Sequence, residues 1–389
     1  MPGYELMGQE ELAEIQDIFD HGAVLFRHGF DAMRQGRYKV KEFEAAMAQR
    51  LAVPHGLAVA SGTAALRVAL AGLGVGDGDE VITQAFTFVA TVEAIIESRA
   101  TPVCAEVDAT LNMDPADLAR RITARTKAVI VVHMLGTPAR LREIQAVCDH
   151  YGIPLIEDTA WGLGGALDGK PLGTWGVAGT LSFDFAKTLT TGEGGMLVTR
   201  DAGLWARAAA WHDHGHENNP ALPRWEDSRS SSGFNFRMGE LAGAVGLAQL
   251  RKLDGIVTAQ RANRDALWAA MHDLPGITPR EVPAGAYETA DALVFFVPDA
   301  ATARRCRGAL LAHGLATKIL PEATSWHFAG AWTHMPELVR AHGGDLAHAF
   351  PQSSRWLNRA VSMPVGVNLA ADAPQRARRA LSEALALEL

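Results

Sequence analysis

Lys187 stands in SFDFAKTLTTGEGG, just after an apolar run and just before a Gly-rich turn. A lysine enclosed there can lose its proton and attack a carbonyl as a free amine, forming a Schiff base. Asp158 closes the run IPLIED, and in open α/β sheets ligands bind at the carboxyl ends of strands. A carboxylate at that place can keep a ring nitrogen protonated. Ser61-Gly62-Thr63-Ala64 lies between an apolar run and a helical pattern. Small residues at such a junction leave backbone N–H groups free for a phosphate. Asn235 and Arg237 are polar residues between aromatics in GFNFRMGEL, ahead of a helix. Each has an ordinary use as well. SGT is a routine helix cap, Asp158 can cap or face water, Lys187 can be a solvated lysine, and Asn235 and Arg237 can be cap and surface residues.

The elements that must position these residues follow from the pattern. Short apolar runs at LAVA (57–60), DEVIT (79–83), TPVCAEVD (101–108), KAVIVVHM (127–134), IPLIED (153–158), LSFDF (181–185) and GGMLVT (194–199) read as strands. Helical patterns separate most of them, including one starting at Asp114-Pro115 and one ending at Gly152. Strands alternating with helices predict an α/β fold with a mostly parallel sheet covered on both faces. Residues 1–255 read as an N-terminal arm and a large α/β domain, and residues 256–389 as a smaller α+β domain with ALVFFV (292–297) as a strand. The turn-rich stretch 216–233 reads as a long loop, a frequent site of function.

A phosphate turn, a strand-end aspartate and then a lysine is the layout of a fold type I enzyme that uses pyridoxal 5′-phosphate (PLP). The chain resembles the DegT/StrS family of sugar aminotransferases over nearly its whole length. The resemblance is carried by SGTAAL (61–66), TFVAT (87–91), VVHMLG (131–136), IED (156–158), SFDFAKTLTTGEGG (182–195) and FNFRM (234–238). It implies that Lys187 is the Schiff-base lysine and proton shuttle and that Asp158 pairs with the pyridine nitrogen. It also implies that Gly62, Thr63 and Ser182 hold the phosphate from the same subunit and that Phe88 stacks on the ring. Asn235 would reach the phosphate of the neighbouring subunit, so a homodimer is implied. One position departs from the pattern: near the cofactor's 3-hydroxyl, where the family has Gln or His, stands Trp161. An indole N–H donates a hydrogen bond but accepts none. Lys187 itself argues against the family's dehydratase branch, in which histidine replaces the lysine.

Three further segments, VLFRHGFDAMRQG (24–36), HDHGHE (212–217) and SWHFAGAWTHM (325–335), are similar to the branch that aminates C8 of 3,8-dideoxy-8-keto-octulosonate. The product is an amino form of the lipopolysaccharide sugar Kdo, with L-glutamate as amino donor. On that reading Arg27, His28, His214, His216 and His327 are candidates for binding the keto sugar acid. The alternative is the same chemistry on a nucleotide-linked 3- or 4-keto hexose. A non-catalytic PLP-binding regulator is a third reading, opposed by Lys187 and by the absence of a helix-turn-helix pattern. The alternating His212, His214 and His216 also raise a metal reading, but no known ligand signature accompanies them, and no metal is expected.

Composition bounds the rest. The 389 residues predict two to three domains and carry 36 Lys plus Arg against 44 Asp plus Glu, a formal charge of −8. Such a chain has no general attraction to nucleic acid. Three scattered cysteines without a CxxC pair fit a reducing cytoplasm. The acidic N-terminus lacks the apolar segment of a signal peptide, and no run has the length of a membrane span. The expectation is a cytoplasmic enzyme without membrane or nucleic-acid partners.

Overall fold

All seven runs read as strands enter one sheet, in a computed structural model that describes residues 2–219, 221–318, 320–321 and 324–386. They are β1 (His55–Val59), β2 (Glu80–Gln84), β3 (Thr101–Ala105), β4 (Thr126–Val132), β5 (Leu155–Asp158), β6 (Ala178–Ser182) and β7 (Gly195–Thr199). Their spatial order is β1-β7-β6-β5-β4-β2-β3. Strand β7 runs antiparallel to both its neighbours, and the other pairs are parallel. Helices cover both faces, so the central strands lose the polar alternation of a half-solvated sheet. In β4 the stretch Ala128–Val132 is buried throughout.

Local signals place the covering helices. Asp114 caps the helix Pro115–Arg121 by accepting from the Ala116 N–H, with proline at the first helical position. The helix Leu141–Tyr151 stops at Gly152, whose φ of +68° is the left-handed conformation of a C-terminal glycine. Ser61 caps Gly62–Gly72, its Oγ accepting from the Ala64 N–H at 3.0 Å.

The division expected at 255/256 falls inside a single 32-residue helix, Glu240–Met271. Its first half packs with the arm helices Gln9–Asp20 and Lys39–Arg50, and its second half reaches the C-terminal helix Ala373–Leu385. Beyond it, Thr278–Pro279, Ala292–Phe296 and Ala360–Pro364 form a smaller antiparallel sheet. Helices Ala300–Ala312 and Ala373–Leu385 back it around Phe295, Cys306, Val361 and Leu381. A three-stranded ribbon, Ala166–Leu167, Lys170–Pro171 and Ala286–Tyr287, ties the two parts together. All three cysteines are free and buried. No helix among the described residues is long and apolar enough to cross a membrane.

Candidate active site

The phosphate-type turn is held by glycine. A β-carbon on Gly62 would stand 2.7 Å from Ser182 Cβ and 3.0 Å from its Oγ, and one on Gly195 would stand 2.3 Å from the Ser61 carbonyl oxygen. The N-terminus of the Gly62–Gly72 helix is thereby pressed onto the ends of β6 and β7. This puts Gly62, Thr63 and Ser182 at one place, with free backbone N–H groups and the positive end of a helix.

Asp158 ends β5 and is 6% exposed. Its Oδ1 accepts from the Ala160 N–H and its Oδ2 from the Thr91 hydroxyl, each at 3.1 Å. Burial raises its pKa above the ordinary carboxylate value, against the opposing pull of the Ala160 N–H, the Lys187 charge and the Thr91 hydroxyl. A cation placed against it would relieve that cost. Thr91 itself contacts Thr87 Oγ1 at 2.9 Å. Its part was not read from the sequence, although the spacing of four on the helix Val89–Glu97 and its preceding turn was available.

Lys187 sits in the loop between β6 and β7, where the Asp184 carbonyl accepts its backbone N–H at 3.0 Å. Its Nζ lies 3.7 Å from the centre of the Trp161 ring. Burial and, after it, the charge of Lys318 lower its pKa to about 8, against the pull of Asp291, Asp158 and Asp184. Trp161 is buried, and its carbonyl accepts from the Thr289 hydroxyl at 3.1 Å. His327 is also buried, 5.5 Å from the Phe88 ring and 6.3 Å from the Trp161 ring. Its carbonyl accepts from the Thr87 N–H at 2.9 Å. The structure thus brings Lys187, Asp158, Trp161, Phe88 and His327 to one end of the sheet. It adds Lys318 and Asp291, which no spacing pattern marks.

The other candidates gather elsewhere. Arg27 donates to the Ala58 carbonyl at 3.1 Å and to Glu44 at 2.6 Å, and Glu44 also accepts from the Ala58 N–H. It is a buried clamp between the arm and β1, where the sequence reading made it a substrate cation. His28 Nε2 lies 3.1 Å from Asp213, a fully buried acid that also pairs with Arg224 and Arg237. Burial lowers the His28 pKa despite that acid. For Asp213, contacts with His28, Arg224 and Arg237 outweigh burial and hold the carboxyl well below the usual range. His216 contacts Asp227 at 3.0 Å within its own loop, and His214 is exposed, with φ of +57°. His212 turns to the Ala209 carbonyl. The three alternating histidines therefore do not converge, and no cluster among the described residues is arranged to hold a metal. Asn235 is exposed, its Oδ1 accepting from the Arg237 N–H, beside the end of β1 where Ala60 N–H donates to the Phe236 carbonyl.

The arrangement fits pyridoxal phosphate on its own terms: a helix N-terminus cleared by glycine for the phosphate, a buried acid for the ring nitrogen, and a lysine whose amine is readily neutral. Comparisons with known proteins agree. The chain is 34% identical over 289 residues to the GDP-perosamine synthase of Vibrio cholerae, covering 71% of this chain and 72% of that one. Its fold matches the aminotransferase TlmJ from Streptoalloteichus hindustanus (TM-score 0.84, 29% identity, 98% of each chain). It also matches the sugar aminotransferase CalS13 from Micromonospora echinospora (TM-score 0.83, 27% identity, 97% of each chain). The model of the DegT/DnrJ/EryC1/StrS aminotransferase family matches residues 13–382. The chain belongs to that family, and is a PLP-dependent sugar aminotransferase of fold type I.

Proposed function

We propose that this enzyme moves the amino group of L-glutamate to a keto carbon of a nucleotide-linked hexose. The carrying observation is the 34% identity to GDP-perosamine synthase across most of both chains. A second observation weakens the free sugar acid: Arg27, His28 and His216, three of the five residues expected to meet it, each contact an acid of their own chain. His327, at Phe88 and Trp161, is the substrate candidate that stays beside the reacting amine.

When bound, PLP supplies the carbonyl that accepts the amino group and a ring that withdraws electrons from the carbon being deprotonated. The chain's part is positioning and proton transfer. Asp158 holds the ring nitrogen in its cationic state, which also offsets the burial of its own carboxylate. Lys187, with a pKa lowered to about 8, is a base strong enough to take a proton from the donor's α-carbon and weak enough to be neutral near that pH. Buried Trp161 and the partly exposed Phe88 give the site apolar walls. A homodimer completes this reading, with Asn235 turned to the partner's site. Exposed Phe26, Phe30, Trp225 and Phe234 supply apolar surface for it.

The test is amination by the purified enzyme, charged with L-glutamate, of GDP-, UDP- and dTDP-linked 3- or 4-keto hexoses beside 3,8-dideoxy-8-keto-octulosonate. Turnover of a nucleotide-linked sugar alone is the expected result. Turnover of the octulosonate alone would replace this reading with the sugar-acid one.

A further inference from the structure

Two lysines share one indole. Lys187 Nζ lies 3.7 Å and Lys318 Nζ 4.4 Å from the centre of the Trp161 ring. They come from different parts of the fold. Lys187 is on the loop between β6 and β7, whereas Lys318 follows the helix Ala300–Ala312 and donates its backbone N–H to Ser362 at 3.1 Å, in the smaller sheet. A second cation beside the reacting amine is electrostatically unfavourable unless something holds it there. Asp291, 2% exposed, does so by pairing with the Lys318 ammonium.

We propose that Lys318 is the cation that takes a substrate carboxylate at this site. An ammonium has three donors. Asp291 engages it from the buried side, and the Lys318 side chain keeps 18% of its surface exposed. Trp161, which forms the wall, carries no charge and can offer an anion at most one N–H, so the counter-charge for a carboxylate must come from beside it. Arg27, Arg224 and Arg237 are committed to Glu44 and Asp213. A carboxylate is present on the amino donor and, for a sugar acid, on the acceptor. The shared indole favours the donor. Its α-carboxylate is bonded to the carbon whose proton Lys187 moves, whereas in 3,8-dideoxy-8-keto-octulosonate the carboxylate and the reacting carbonyl lie at opposite ends of an eight-carbon chain. The inference rests on the donor half of the proposed function and is independent of the sugar.

The experiment mixes PLP-loaded enzyme rapidly with L-glutamate or with L-isoglutamine, its α-amide, and follows the cofactor's visible band with no sugar present. The unsubstituted enzyme should prefer L-glutamate by roughly 10²-fold in apparent affinity, the scale of one charge-assisted contact. In Lys318→Gln that preference should collapse to within a few-fold through weaker L-glutamate binding, and Lys318→Arg should keep most of it. The sugar-acid source would show as an unchanged L-glutamate preference with a raised KM for the octulosonate in Lys318→Gln. Unchanged selectivity in both arms, with only a lowered melting temperature, would reduce the Lys318–Asp291 pair to a structural latch and overturn the proposal. So would an unsubstituted enzyme that prefers neither donor and does not accept the octulosonate, a readout that does not depend on any variant folding.

Discussion

Gly62 lies so close to Ser182 that a β-carbon on the first would stand 2.7 Å from that of the second. Contact at this range forces either the Ser182 backbone or the helix start to move, because neither atom is the end of a flexible side chain. Gly62→Ala should therefore lower stability by about 1–3 kcal/mol and weaken PLP binding roughly ten-fold or more. Fluorescence titration of the cofactor-free protein with PLP reads this directly; unaltered affinity would mean that the phosphate is held elsewhere.

Asp158 predicts opposite effects on stability and on rate. Its folded pKa is raised by burial, so between its ordinary value and that raised value the folded cofactor-free protein binds more protons than the unfolded chain. Stability in this window falls as pH rises. Asp158→Asn removes that loss, and the cofactor-free variant should melt no lower than the parent at pH 7. Turnover should drop by roughly two to three orders of magnitude, because the acid that stabilises the ring cation is gone. Calorimetry and steady-state assay together check both signs.

The depressed pKa of Lys187 has a kinetic readout. Only the neutral amine adds to a carbonyl, so covalent uptake of PLP by the cofactor-free protein should quicken with pH and level off near pH 8, well below an ordinary lysine. The second cause of the depression, after burial, is the charge of Lys318. Lys318→Gln should therefore move the break to higher pH. Lys187→Ala should abolish both covalent uptake and turnover.

Arg27 is placed as a clamp, and its loss should register as stability. Arg27→Ala leaves Glu44 without its cation and the Ala58 carbonyl without the Arg27 donor, for a cost of about 3 kcal/mol, the low end for a broken buried pair. The melting temperature should fall while the L-glutamate half-reaction of the folded enzyme keeps its affinity. A normal melting temperature with a raised sugar KM would return Arg27 to the substrate.

What could be read in the sequence was what local rules govern. The seven strand runs, the Asp114 cap, the Gly152 stop and the Ser61 turn each carry their signal within a few residues. The candidate cofactor-side residues Gly62, Asp158 and Lys187 could be proposed from the sequence because the DegT/StrS pattern keeps turn, acid and lysine in that order. The helix Glu240–Met271 crosses the expected domain limit because a helix can serve two cores with different faces, and no cap or proline marks residue 255. Arg27, His28 and His216 looked available because the acids that engage them, Glu44, Asp213 and Asp227, are partners only in three dimensions. Lys318 and Asp291 were invisible for the same reason: they meet across 27 residues and become interesting only against Trp161.

The reversed strand β7 has a mechanical meaning. Because it runs against β6, the chain leaves β6 and returns at the same end, and the loop carrying Lys187 is laced shut by Phe183 N–H to the Gly194 carbonyl and Thr191 N–H to the Phe183 carbonyl. Asp158 ends β5, whose register partner for it is Thr180 of β6. The acid and the base thus ride on hydrogen-bonded neighbours and keep their spacing if the rest of the molecule breathes. Lys318 is mounted on the other sheet. The chemistry has a rigid chassis, and the contact proposed to select the donor is bolted to a separate part, free to drift over evolutionary time without detuning the proton transfer.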